Sequence, residues 1–244
     1  MITLAVDTSS KACSCALLRD GMLLGESYCN NGLTHSATLM VLVENTLCAA
    51  NQSGPRSCFH AKQRVYFTDT KAAPVNVGPG SYTGLRIGLA AVKGMALAYG
   101  TPCVGVSTLL SLAYNVLPFE GVVCAALDAR VGQVFAALFR IAAGKVTRLT
   151  EDNAMTLEAL GAQLPDGAML CGDGAQLVYG RFPEKGLRLS PAALQYQRAA
   201  SVALAAEAEG HPAVGAAALK AEYHRKSQAE REREAKQQTE EEKP

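Results

Sequence analysis

The string with the most chemical content is Gly78-Pro79-Gly80-Ser81-Tyr82-Thr83-Gly84-Leu85-Arg86-Ile87-Gly88, which joins an expected strand at Pro74 to Val77 to an expected helix. Glycines permit a tight backbone turn there, and the unpaired N–H groups at a helix start suit an anion. The string is neither a Walker loop, which needs Gly-Lys-Ser/Thr, nor a dinucleotide fingerprint, which needs GxGxxG. Metal chemistry has little support. The four histidines, His35, His60, His211 and His224, show no ligand spacing with one another or with the cysteines. The eight cysteines (Cys13, Cys15, Cys29, Cys48, Cys58, Cys103, Cys124 and Cys171) form no CxxC pair and read as small core hydrophobes.

Short elements must hold that turn. Residues 2 to 6 read as a buried strand, and after the Asp7-Thr8-Ser9-Ser10 turn, Cys13 to Leu18 and Met22 to Ser27 read as a β-hairpin about Asp20-Gly21. A second hairpin, 122 to 127 with 133 to 141, brackets Asp128-Ala129-Arg130-Val131-Gly132. Two strand-rich openings, each followed by helix and about 120 residues apart, suggest two similar lobes. Met169 to Cys171 reads as a strand running through Gly172-Asp173-Gly174 into a helix. A further helix is expected from Pro191 to Glu209, with Ser190 as N-cap and Gly210 beyond its end.

Two more helices, 36 to 51 and 85 to 99, are apolar on every side, with Glu44 the only charge of the first and Lys93 the only charge of the second after Arg86. A helix apolar all round must be covered on more than one side. Gly84 and Gly88, then Ala90, Gly94 and Ala98, form small-residue stripes at four-residue intervals, while Leu85, Leu89, Val92 and Ala96 form a larger one. Both small stripes packing inside the chain, or one meeting a partner's helix, would satisfy the pattern.

Lys and Arg number 23 against 22 Asp and Glu in 244 residues, which argues against a nucleic-acid binder running on bulk charge. A hydrophobic fraction of 49% supports a sizeable core. Residues 220 to 244 carry seven basic and seven acidic side chains, so the body is poor in charge and the stretch after His224 reads as a solvated helix or tail. Lys93 and Arg130 interrupt the best apolar runs before the roughly 18 to 20 residues a bilayer requires. The opening MITLAVDTSS has no basic leader, and a soluble, cytoplasmic protein is expected.

AVDTSS at 5 to 10, VGPGSYTGLRIG at 77 to 88, ALDARVGQVFAALFR at 126 to 140, CGDG at 171 to 174 and YHRKSQAERE at 223 to 232 occur in the order seen in the bacterial TsaB (YeaZ) family, which the chain resembles. The resemblance implies an α/β, two-lobed, actin-like, Hsp70-like and sugar-kinase-like (ASKHA) fold, with mixed sheets flanked by helices. It implies one lobe of residues 1–107 with 212–226, another of 108–211, and a polar tail at 227–244. TsaB proteins are partners in making threonylcarbamoyladenosine beside the tRNA anticodon. Their catalytic relative TsaD carries a metal-binding HxxxH on its first helix; here Leu39 stands four residues after His35. A non-catalytic subunit without a metal is therefore implied.

Asp7, Thr8 and Ser9 sit where that superfamily has its first phosphate loop. The second, usually Asp-x-Gly, here reads Asp128-Ala129-Arg130, with a side chain in place of the glycine. With Gly78, Gly80 and Ser81 these residues form a candidate vestigial nucleotide site. No cofactor is required on this reading, and at most a weak or shared ATP/ADP site is expected. Asp7 and Asp128 read first as turn-formers.

The resemblance also implies a partner for the apolar helices. Leu39, Val43, Thr46 and Leu47 on the first, and Leu85, Gly88, Ala91, Val92, Met95 and Tyr99 on the second, are the implied contact with TsaD, or with a second copy when TsaD is absent. The small ATPase TsaE is expected at that junction, tRNA only through the complex, and no membrane. The alternatives are an ATP-dependent phosphotransferase or hydrolase of the superfamily and a glycoprotease-like metallopeptidase. One segment departs from the family pattern: 52 to 74 is basic, with Arg56, Lys62, Arg64 and Lys71, and ends in Pro74, which cannot donate to a central strand. An insertion loop, a shortened strand or a strand from Arg64 to Thr68 would each accommodate it.

Overall fold

Strand β1 (Ile2–Asp7) is an apolar run that stops at the hydroxyl-rich Thr8-Ser9-Ser10. It pairs antiparallel with β2 (Cys13–Arg19), which turns through Asp20-Gly21 into β3 (Met22–Cys29). Helix α1 (His35–Asn51) follows, then β4 (Thr70–Gly78), α2 (Tyr82–Tyr99), β5 (Cys103–Ser107) and α3 (Thr108–Asn115). The second half opens the same way. Its hairpin is β6 (Gly121–Arg130) with β7 (Gln133–Ala142), flanked by β8 (Lys145–Arg148) and β9 (Asn153–Thr156). Helix α4 (Leu157–Gln163), β10 (Met169–Cys171), α5 (Ala175–Arg181), β11 (Arg188–Leu189), α6 (Ala199–Ala208) and β12 (Ala213–Val214) complete it. The computed structural model describes residues 1–51 and 66–225. The tail 227–244 and Arg56, Cys58, His60, Lys62 and Arg64 of the departing segment lie outside the described residues.

The two sheets repeat one topology. The first runs β12-β5-β4-β1-β2-β3 and the second β11-β10-β6-β7-β8, with β9 also pairing β7. In each, an antiparallel hairpin is extended on its other side by parallel strands, β4 beside β1 and β10 beside β6. The chain has the α/β actin-like fold.

Alternation along the strands sorts side chains between layers. From β1 and β2, Leu4, Val6, Cys13, Cys15 and Leu17 point at α1 and α2, while Ala5, Ala16 and Leu18 point at a middle layer of α3 and α6. Strands β6 and β7 meet that layer from the far side with Val123, Ala125, Leu127, Ala137 and Phe139. Their opposite faces, with Cys124, Ala126, Ala136 and Leu138, are covered by Leu160 of α4 and Ala175 and Val178 of α5. Polar contacts pin the middle layer. Arg198 pairs with Glu26 of β3, whose other oxygen accepts from Ala200 N at 3.2 Å, and Ser14 Oγ accepts from Ala199 N at 2.9 Å.

Three expectations need correction. The helix predicted from Pro191 to Glu209 begins only at Ala199; before it, Ala192–Leu194 form a 3₁₀ turn and Arg198 is extended. Tertiary bonds win there. Ser190 Oγ donates to Gln195 Oε1 at 2.7 Å instead of capping a helix, and Gln195 exchanges Nε2 and O contacts with the backbone of Gly172 at 2.6 and 2.7 Å. A strand does not include Phe67 or Thr68 either, since Phe67–Asp69 is a 3₁₀ turn and β4 starts at Thr70. Finally, Pro74 does sit in a central strand. Ala73 N donates towards β5, to Pro102 O at 2.9 Å, so strand alternation turns the Pro74 nitrogen away from β5 and towards β1. The ring therefore removes no bond from the β5 ladder.

Candidate functional site

A cleft of about 900 Å³ lies between the strand-end turns of the two halves. On one wall are Ser9, Ser10, Gly80 and Ser81; on the other are Asp128, Arg130 and Asp173; Glu222, Tyr223, His224 and Arg225 form the third side. The sequence-predicted turn residues Asp7, Thr8, Ser9, Gly78, Gly80, Ser81 and Asp128 are thus brought to one region, although Asp7 and Thr8 lie beneath the surface.

Each of those residues is engaged by its own chain. Asp7 Oδ1 accepts from Ser9 N at 3.1 Å and from Asn76 Nδ2 at 2.8 Å. Burial pushes its carboxyl above the ordinary range, against the pull of the Ser9 and Asn76 hydrogen bonds and of nearby His35. Thr8 Oγ1 donates to Gly84 O at 2.7 Å, and Ser9 O accepts from Ser81 N at 2.7 Å. Ser81 caps α2, its Oγ accepting from Gly84 N at 3.2 Å. The helix therefore starts at Tyr82, three residues before the predicted start. A Cβ on Gly84 would lie 2.1 Å from Thr8 O, and one on Gly88 would lie 2.4 Å from Thr8 Oγ1. These glycines let α2 press onto the Asp7-Thr8-Ser9 turn. Asp128 Oδ1 accepts from Arg130 N at 2.7 Å, closing the tip of the second hairpin, and Arg130 adopts φ +66° with its side chain projecting. Gly78, at φ +142°, leaves room for Glu222 O, and Glu222 N donates to Val77 O at 2.8 Å.

His35 begins α1, where its Nε2 donates to Ser10 O at 2.7 Å. Among the described residues no group of three or more His, Cys, Asp or Glu side chains could hold a metal ion.

The second candidate region is the outer face of α1 and α2. Met40, Val41, Leu97 and Tyr99 are large apolar side chains left exposed there, Leu97 at 79%. Ala90, Gly94 and Ala98 are exposed between them, and a Cβ on Gly94 would meet nothing within 4 Å. Clusters of exposed apolar residues on this scale mark interaction surfaces.

The family model described as TsaD, tRNA N6-adenosine threonylcarbamoyltransferase, matches residues 33–230. Over 138 residues, 55% of this chain, it is 35% identical to the Escherichia coli (strain K12) protein named tRNA threonylcarbamoyladenosine biosynthesis protein TsaB. It is 33% identical to the Bacillus subtilis (strain 168) protein of the same name over 157 residues, 64% of the chain. A solved structure of YeaZ from Pseudomonas aeruginosa, 26% identical, superposes with a TM-score of 0.73 over 91% of this chain and 99% of that one. The chain belongs to the TsaB (YeaZ) family. Its matches span 53% and 63% of the lengths of the E. coli and B. subtilis TsaB proteins.

For a TsaB-family chain the expected partner contact requires revision. Of the ten residues named for it, Leu39, Val43, Thr46, Leu85, Gly88 and Val92 are buried within the chain's own core. They form the inner faces of α1 and α2 against β1, β2 and β4. Leu47, Ala91 and Met95 are partly exposed and Tyr99 is exposed. Sequence reasoning missed Met40, Val41 and Leu97, because a helix apolar all round gives no phase from which to tell its inner side. It also missed Ser10 and Asp173 as residues of the cleft, having assigned Asp173 only to a strand-to-helix turn.

Proposed function

We propose that the chain acts in tRNA threonylcarbamoyladenosine biosynthesis as a non-catalytic subunit that binds and activates TsaD. Its names among relatives and the TsaD-type family model support that place. The carrying observation is the apolar outer face of α1 and α2, which the described residues leave uncovered around a stripe small enough for close helix approach. On this reading TsaD lays two helices of its own against that face, and a second copy does so when TsaD is absent. TsaE joins at the junction, and tRNA is engaged by the assembly. The cleft supports the non-catalytic part, since the hydroxyls of Thr8, Ser10 and Ser81 and the N–H groups of Ser9, Ser81 and Gly84 are bonded within the chain.

Light scattering after size-exclusion chromatography, on the chain alone and mixed with TsaD from the same organism, tests this. Wild type is expected to form a heterodimer; Leu97→Glu and Gly94→Glu, at exposed positions, should remain folded and fail to pair. A wild-type chain indifferent to TsaD, or variants that pair undiminished, would overturn the proposal. Val92→Glu is unsuited to this purpose, because Val92 is fully buried.

A further inference from the structure

Asp173 stands in the Cys171-Gly172-Asp173-Gly174 turn between β10 and α5, and its carboxylate reaches across the cleft. Oδ2 accepts from Ser10 Oγ at 2.7 Å, and Oδ1 accepts from the main-chain N of Asp128 at 2.9 Å. One donor comes from the turn after β1, the other from the end of β6. A hydroxyl and a backbone N–H, aimed from two turns at different oxygens of one anion, are the kind of donors that hold a phosphoryl group.

The carboxylate is placed by backbone and not by side-chain reach. A Cβ on Gly172 would lie 2.1 Å from Ala126 O, and Gly174 N donates to that same oxygen at 3.0 Å, so the turn is pressed against β6. Charge fits the arrangement. Three acids along the cleft, Asp128, Asp173 and Glu222, face three bases, Lys11, Arg130 and Arg225. Removing Asp173 leaves a cationic excess beside two donors without their acceptor.

We propose that Asp173 is a resident anion: it fills a phosphate-type cradle shared by the two halves and thereby keeps phosphate-bearing molecules out of the cleft. The exclusion has two physical sources, occupation of the Ser10 and Asp128 donors and repulsion by the carboxylate charge. The same contacts tie the halves across the cleft. This inference stands apart from the partner proposed for the α1 and α2 face.

Calorimetric titration of the full-length chain with inorganic pyrophosphate at low salt is the test. Asp173→Ala should bind pyrophosphate at least tenfold more tightly than wild type, and adding Ser10→Ala should reverse the gain. Should Asp173→Ala melt below the titration temperature, Asp173→Asn carries the test. Its amide can still span Ser10 and Asp128, and loss of the charge alone should raise affinity about threefold. Equal affinity of wild type and folded variants overturns the proposal, as does tight binding by wild type. A gain that survives Ser10→Ala overturns it too, because the anion would then sit elsewhere.

Discussion

Along α2, Gly84 and Gly88 lie against the Thr8 turn of their own chain, whereas Ala90, Gly94 and Ala98 face outward. Both sets are small and both are spaced by four. The first set is small because Thr8, in the turn after β1, presses on the helix with its carbonyl at Gly84 and its hydroxyl at Gly88. Among the described residues nothing asks the second set to be small. Smallness at Gly94 in fact costs the isolated helix about 1 kcal/mol relative to alanine. A partner that approaches equally closely would account for it.

Substitutions can separate the two stripes. The largest effect is expected at the inner one. Gly84→Val places a side chain on the Thr8 carbonyl and should destabilise the fold by at least about 3 kcal/mol, a fall of roughly 6 to 12 °C in a thermal melt. A wild-type melting curve would show that α2 does not need this close approach. At the outer stripe, Gly94→Glu should change stability by no more than about 0.5 kcal/mol while weakening TsaD binding about 100-fold, or about 2.7 kcal/mol, as read by titration calorimetry. Gly94→Ala sharpens the contrast further. Chemical denaturation should show the chain more stable by about 0.5 to 1 kcal/mol, with TsaD bound more weakly. Stability and binding that improve together would mean that the outer stripe is not shaped for a neighbour.

Two smaller effects flank the stripes. Beneath the inner one, the raised Asp7 carboxyl means that the folded chain holds this proton better than the unfolded chain. Stability should therefore fall as pH rises from the ordinary 3.8 through the folded-state value. Asp7→Asn should flatten that part of the profile in melts taken across pH, and an unchanged slope would assign it to other groups. On the outer side, Cys48 is exposed on α1, whereas burial pushes the thiols of Cys15 and Cys124 up to about 12. Brief iodoacetamide treatment with peptide mapping should label Cys48 and spare those two, and bound TsaD should slow the labelling.

Much of the fold was legible because its signals are local. Asp20-Gly21 turns the first hairpin, the apolar runs of β1, β6 and β7 sit within a residue or a few of their predicted limits, and the repeated opening corresponds to two sheets of like order. Helix α3 was not anticipated. All eight of its residues are buried, so it shows no polar face, and it is too short to declare itself by length. Helix α6 was overextended for a different reason: Ser190, Pro191 and Gly210 look like helix punctuation, yet Gln195 is committed to the backbone of Gly172, far away in sequence. The site divided along the same line. Turn residues were found by type, but Asp173 needed the second half folded against the first before its carboxylate could meet Ser10. Strands and turns reveal themselves over a few residues, whereas a group that bridges the halves does so only in three dimensions.

The sequence distance between α6 and the first sheet bears on how this protein emerges from a ribosome. Ala5, Ala16, Leu18, Val104 and Val106 of the first sheet share a buried cluster with Val202, Ala203, Ala205 and Ala206 of α6. Residues 108–198 are synthesised between the last of those strands and the helix. Throughout that interval α3 is the one middle-layer helix already made, so the part of the apolar sheet face that α6 covers stays open until residues 199–208 have been synthesised.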